Sequence, residues 1–106
     1  MHFSKQLNMP AKLDIHRLEE AASKLRALAH PMRVAIIELL DKNKELNVTH
    51  IYETLDIEQA TASHHLNILK NKGVLSSRRE GKNTFYSIRP DSILQIIECV
   101  TRCENR

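Results

Sequence analysis

Apolar residues in the middle of the chain are spaced as on two short, neighbouring helices. In the first segment they recur at intervals of three and four residues, which marks one buried helical face, at Val48, Ile51, Tyr52 and Leu55. Residues 56–58 interrupt this spacing, and a second helix is predicted over residues 59–72. Two short helices joined by such a turn predict a helix-turn-helix, a unit whose second helix can enter the major groove of DNA.

The second of these helices separates an apolar side from a polar one. Its apolar side carries Ala62, His65, Leu66 and Leu69. The remaining surface carries amide, hydroxyl and imidazole groups, which can hydrogen-bond the edges of bases, at Gln59, Thr61, Ser63, His64 and Asn67. This polar set is the predicted DNA-reading surface.

Helices are also predicted before this unit. Asp14 is a suitable N-cap for a first helix that runs to about Ala29, with an apolar stripe at Ile15, Leu18, Ala22, Leu25 and Leu28. A second helix is predicted from Pro31 to about Leu40, because proline is favoured in a first helical turn. Its core face would be Met32, Ala35, Ile36, Leu39 and Leu40. A polar loop over residues 41–44 and a brief strand at Glu45-Leu46 follow, and Asn47 would cap the third helix.

Behind the helix-turn-helix the pattern changes to that of a β-hairpin. Gly73 is placed to end the helix, and strands are predicted over residues 74–79 and 83–88, joined by Glu80-Gly81-Lys82. Three basic side chains lie near the tip of this hairpin, at Arg78, Arg79 and Lys82. A basic hairpin directly after a reading helix is typical of a wing that contacts DNA phosphates or the minor groove.

A last helix is predicted after Pro90, capped by Asp91 or Ser92 and running to about Cys103. The predicted fold is therefore mainly α with a small β-hairpin, a winged helix-turn-helix of order α-α-α-α-β-β-α. Residues 1–13 are interpreted as a flexible lead-in, 14–103 as one DNA-binding and dimerisation domain, and 104–106 as the C-terminal end. The first and last helices are more apolar than one small domain needs, which predicts a homodimer through Ile15, Leu18, Ala22, Leu25, Ile93, Ile96, Ile97 and Val100.

Charge supports the same interpretation. The chain of 106 residues has a net charge of +3, but residues 59–89 carry six basic residues and one acid, so the remainder is net negative. A basic half that coincides with the helix-turn-helix indicates phosphate binding, and Lys70 is included among the predicted contacts. The alternative is an ordinary solvated surface that is rich in lysine.

Localisation can also be predicted from the sequence. No apolar run is long enough for a membrane span and no signal peptide is visible, so a cytoplasmic protein without a membrane partner is expected.

Several segments resemble the ArsR family of winged-helix repressors (ArsR/SmtB type). They are residues 25–33 (LRALAHPMR), 59–69 (QATASHHLNIL), 72–75 (KGVL), 79–82 (REGK) and Phe85-Tyr86. The resemblance implies a homodimer built from the first and last helices and bound to double-stranded operator DNA with two-fold symmetry near a promoter. It also implies that Gln59, Ser63 and His64 approach bases, and that His65 packs inward.

The chain departs from the family pattern in its turn and in its sensing sites. Asp56 replaces a usual glycine, which aspartate tolerates because it adopts the left-handed conformation more easily than most residues. Glu58 replaces a hydroxyl cap, and Ala60 replaces a polar residue. The family's thiolate site needs a Cys-x-Cys pair where this chain has Asn47-Val48-Thr49, and Ile93 stands in place of a zinc-binding histidine.

Cys99 and Cys103 are the remaining metal or redox candidates, since they are four residues apart on the predicted last helix. Two ligands do not make a metal site, and buried cysteines are common, so no cofactor is expected. The favoured hypothesis is a sequence-specific, dimeric repressor that an effector releases from DNA. A winged helix used for protein contacts is the alternative. An enzyme is disfavoured, because no phosphate loop, activated nucleophile or catalytic metal set is visible.

Overall fold

The computed structural model of the chain describes residues 14–92. Its elements, in chain order, are α1 (Ile15–Leu28), α2 (Pro31–Asn43), β1 (Glu45–Asn47), α3 (Val48–Leu55), α4 (Gln59–Asn71), β2 (Leu75–Glu80) and β3 (Asn83–Ile88). Residues 90–92 are helical. The predicted lead-in, most of the last helix and the side chains Ile93, Ile96, Ile97, Cys99, Val100 and Cys103 lie outside the described residues.

Side-chain caps set the start of the first three helices. Asp14 accepts a hydrogen bond from the backbone N–H of His16 (3.0 Å), and Asn47 accepts one from that of His50 (2.8 Å), so both predicted caps are confirmed. Pro31 is the first residue of α2, as predicted. The cap of α2 is His30, whose Nδ1 accepts from the backbone N–H of Met32 (3.1 Å). The spacing of residues along the chain does not indicate this role for the histidine.

Two predicted helix boundaries were wrong. The α2 helix continues to Asn43, beyond the expected end at Leu40, because exposed polar residues complete its last turn before Lys44 adopts φ = 65°. Neither Asp91 nor Ser92 precedes the last helix as a cap, since residues 90–92 are already helical. The helical residues start at Pro90, since proline suits a first helical turn. Ser92 is buried, and its Oγ donates a hydrogen bond to the carbonyl of Arg89 (2.7 Å).

The three strands form one antiparallel sheet in the order β1-β3-β2. The brief strand expected near Glu45 is confirmed, and it pairs with β3 so that Leu46 lies opposite Tyr86. The first hairpin strand is shifted by one residue from its predicted position, because Glu80 pairs with Asn83 and leaves only Gly81 and Lys82 in the turn. Gly81 has φ = 64°, a conformation in which a residue with a side chain would be strained. This explains the glycine in the turn.

The core lies between the helices and one face of this sheet. Its largest fully buried apolar side chains come from α2, α3, α4 and the start of β2 with the residue before it, namely Ile36, Leu40, Ile51, Leu66, Leu69, Val74 and Leu75. Of the core face predicted for α2, Met32, Ala35 and Leu39 are half-buried. Within residues 14–92, no helix has the length and apolar character needed to cross a membrane.

Candidate DNA-binding surface

The two sides of α4 are sorted as the sequence predicted. Its buried residues are Ala62, His65, Leu66 and Leu69. The opposite side is open to solvent at Gln59, Thr61, His64, Asn67 and Lys70, while Ser63 is half-buried. Because the core holds the apolar side, the polar side of the helix faces outward.

The turn between α3 and α4 depends on the conformation of Asp56. Its backbone is left-handed, with φ = 56° and ψ = 50°, as expected from its occupation of a position where glycine is usual. The turn is closed by a hydrogen bond from the N–H of Ile57 to the carbonyl of Tyr52 (3.1 Å). Glu58 precedes α4 and makes no side-chain capping hydrogen bond, which agrees with the loss of the usual hydroxyl cap.

A buried histidine connects α4 to the junction between α1 and α2. The Nε–H of Arg33 donates to Nδ1 of His65 (3.1 Å), and Nη1 of the same guanidinium donates to the carbonyl of Ala27 (3.1 Å). The ring of His65 also lies 4.7 Å from that of His30 and 5.5 Å from that of His64, measured between centroids. The inward packing predicted for His65 is confirmed, with 6% of the residue exposed.

These surroundings favour the neutral form of His65. Burial is the largest cause that lowers the pKa of its imidazole, followed by the charges of His30, Arg33 and His64. A neutral ring can keep Nδ1 as an acceptor for Arg33, whereas a protonated ring has two donors and cannot. No sequence pattern indicates this contact, since its two partners are 32 positions apart.

The wing, defined here as residues 75–88, carries the other predicted DNA contacts. Lys82 is exposed in its turn, and Nε of Arg79 donates to the carbonyl of Gly81 (3.3 Å). Arg78 is held differently, because its guanidinium binds both carboxylate oxygens of Glu45 on β1. These hydrogen bonds are the main cause of a lowered pKa of the Glu45 carboxyl.

The described part of the chain offers no group of three or more potential ligands arranged to hold a metal ion. At the position where the resemblance would require a Cys-x-Cys pair, the side chain of Asn47 is instead used to cap α3. The described residues thus assign a structural role to this position.

Comparison with known proteins identifies relatives over most of the chain. Residues 30–77 match the arsR family of bacterial regulatory proteins. The transcriptional repressor PagR of Bacillus anthracis is 40% identical over 87 residues, which cover 82% of this chain and 87% of PagR. An uncharacterised HTH-type transcriptional regulator of Methanocaldococcus jannaschii, MJ1325, is 40% identical over 86 residues, covering 81% of this chain and 97% of that protein.

Solved structures agree in fold. The crystal structure of PagR superposes with a TM-score of 0.71 at 39% identity, covering 82% of this chain and 99% of that one. A solution structure from Mycobacterium bovis, a homodimeric winged helix-turn-helix DNA-binding domain, has a TM-score of 0.67 at 32% identity and covers 82% of each chain. The element order and the small sheet described above are therefore those of a winged helix-turn-helix.

Proposed function

The chain belongs to the ArsR family of bacterial regulatory proteins and is a DNA-binding transcriptional regulator, and we propose that it acts as a dimeric repressor released by an effector. The observation that carries this proposal is the outward polar side of α4, set against a fully packed apolar side. A helix held in this way can enter a major groove without disturbing the core.

Within the proposed complex, α4 reads bases and basic residues bind phosphates. Gln59 has the amide chemistry that pairs with adenine N6 and N7, and Thr61, Ser63, His64 and Asn67 add further donors and acceptors. Lys70 on α4 and Arg79 and Lys82 on the wing are exposed, and in the proposed complex these cations bind the phosphates of the DNA backbone.

The proposed dimer interface includes α1. Three apolar side chains of this helix are open to solvent in the single chain, with exposed fractions of 61% for Ile15, 39% for Leu18 and 46% for Leu25. A protein that stays in solution rarely leaves such a stripe uncovered. The homodimeric M. bovis relative supports dimer formation, and a two-fold pair would place two recognition helices about 34–36 Å apart, one turn of DNA.

We further propose that the effector is not a metal ion bound at the start of α3, and that the chain needs no cofactor. The use of Asn47 as a helix cap supports this, since a carboxamide engaged with the N–H of His50 is a poor soft-metal ligand. The names of the relatives describe transcriptional regulators, which favours a non-catalytic role and lends no support to a protein-binding module as the main function.

Fluorescence anisotropy on the promoter upstream of the chain's own gene tests the proposal. We expect binding by a dimer that is at least about a thousandfold tighter than to a shuffled duplex of equal length at physiological salt. The matched control Lys42→Ala removes an exposed lysine outside the proposed surface and should leave the ratio unchanged. Equal affinity for the promoter and the shuffled duplex would contradict repression of this gene.

A further inference from the structure

The face of the sheet turned away from the core carries a contact that spans all three strands. Side chains alternate between the two faces of a strand, and the register places Leu46, Tyr86 and Ser77 side by side on the core face. The other face therefore carries Glu45 on β1, Phe85 and Ser87 on β3, and Ser76 and Arg78 on β2. Arg78 and Glu45 belong to the two outer strands and meet above the central one.

The contact uses the whole guanidinium fork. Nε of Arg78 lies 2.8 Å from Oε2 of Glu45, and Nη2 lies 2.9 Å from Oε1, a bidentate geometry. Nη1 is 3.4 Å from Oε1 of Glu80, so a second carboxylate shares the same charge. The guanidinium carbon is 4.6 Å from the centre of the Phe85 ring, which it covers from outside.

The neighbouring cation is placed differently and makes a natural comparison. Arg79 pairs with Thr84 and so projects on the opposite face of the hairpin, the face that continues from the core. Its guanidinium donates a hydrogen bond to the carbonyl of Gly81, and it makes no ion pair with any residue from 14 to 92. Charge counting along the sequence treats these adjacent arginines alike, whereas the fold separates them.

We propose that Arg78 is a positioning residue that braces the wing through Glu45, and that Arg79 and Lys82 are the wing cations that bind phosphate. The Glu45–Arg78 brace ties β2 to β1 across β3. The β1 strand leads directly into α3, whose cap is Asn47, and β2 follows α4 after Gly73 and Val74. The brace consequently holds the wing in a fixed relation to both helices of the helix-turn-helix.

This proposal rests on the proposed DNA binding, and a charge swap tests it in the full-length dimer. The variant Arg78→Glu places a third carboxylate beside Glu45 and Glu80, and we expect a loss of affinity for the promoter of roughly tenfold or more. The double variant Glu45→Arg with Arg78→Glu restores the pair in reverse and should recover affinity to within about threefold of the wild type. If Arg78 instead touches a phosphate, the double variant will bind as poorly as Arg78→Glu, and the brace will be refuted.

Salt dependence provides the matched comparison of the two arginines. Replacing Arg79 by glutamine should reduce the slope of log K against log [salt] by about 0.9 for each phosphate that is no longer neutralised. Replacing Arg78 by glutamine should leave the slope unchanged and weaken binding by about twofold to fivefold, the range expected for an exposed ion pair. A fall in slope for Arg78→Gln equal to that for Arg79→Gln would overturn the assignment.

A readout without DNA separates failure of the brace from failure of the proposed function. In NMR spectra of the free protein, the Nε proton of Arg78 should exchange with water more slowly in the wild type than in Glu45→Ala, which removes the oxygen that accepts from it. Equal exchange of this proton in the two proteins would refute the brace even if the wild type binds its promoter. Slow exchange at Arg78 in a protein that binds no DNA would uphold the brace and refute the proposed function.

Discussion

Acidification should weaken the folded state through one buried side chain, His65. Its Nδ1 accepts a hydrogen bond from Arg33 at 3.1 Å, and 6% of the residue is exposed, so the folded protein favours the neutral ring. In the unfolded chain the imidazole titrates near its ordinary pKa of 6.5. The pKa in the folded state is lowered, because burial and the charges of His30, Arg33 and His64 oppose protonation.

The direction and the upper limit of the effect follow from this difference. At a pH above the unfolded pKa of 6.5, His65 is neutral in both the folded and the unfolded chain. The free energy of unfolding then loses nothing through this side chain. As the pH falls, the unfolded chain binds a proton that the folded chain excludes, so the free energy of unfolding decreases by at most about 1.4 kcal/mol per pH unit. Between the unfolded pKa and about pH 5 the ceiling is therefore about 2 kcal/mol, a measurable part of the stability of a small domain.

Urea unfolding at a constant protein concentration between about pH 7.5 and 5 measures this loss. The variant His65→Asn keeps an acceptor in the place of Nδ1 but cannot titrate, so its free energy of unfolding should fall less steeply with acid than that of the wild type. His64→Asn removes the exposed neighbour and should retain most of the wild-type slope. Equal pH slopes for the wild type and His65→Asn would refute the neutral, buried state assigned to His65.

Four further outcomes are expected from the surface and the termini. Replacing Gln59 by alanine should cost about 1–3 kcal/mol of binding free energy on the specific site and little on random DNA. Equal losses on both in an anisotropy titration would show that the reading surface is assigned wrongly. Arg79→Ala and Lys82→Ala should weaken binding to all sequences alike and each lower the salt slope by about one, whereas a sequence-dependent loss would argue against phosphate contacts. Sedimentation at micromolar concentration should show a dimer, and a monomer that persists with DNA present would contradict the proposed interface. Cys99→Ser with Cys103→Ser should leave both the DNA affinity and its response to zinc, cadmium or arsenite essentially unchanged, and a metal-dependent release by the wild type that this variant no longer shows would make the two thiols a sensor.

The recognition helix was predictable because local rules agree along it. The spacing of Ala62, His65, Leu66 and Leu69 alone assigns the buried side, and the exposed polar set follows by difference. The left-handed conformation of Asp56 was expected from the resemblance, because aspartate stands where the family usually has glycine and adopts this conformation more easily than most residues. The helical spacing depends on neighbours within about one turn, which a sequence displays directly.

The spacing of residues along the sequence did not predict contacts between distant segments. Glu45 and Arg78 are separated by 33 positions, and nothing in the local spacing indicates that one carboxylate would engage the guanidinium of a predicted phosphate contact. The end of α2 was misplaced for a related reason. Polar residues on the exposed side of a helix look the same in sequence as polar residues in a loop. In the structure the helix ends only where Lys44 adopts φ = 65°.

The recognition helix and the wing are each held by an arginine that another segment of the same chain engages. Arg33 joins α4 to the α1–α2 junction through His65, and Arg78 joins the wing to β1 through Glu45. Arg89 is likewise paired, with Asp91 at 3.3 Å. Of the six basic residues between positions 59 and 89, Arg78 and Arg89 are thus compensated within the chain. Net charge therefore overstates the number of cations available to phosphates, because part of it orients the surface on which the remaining cations act.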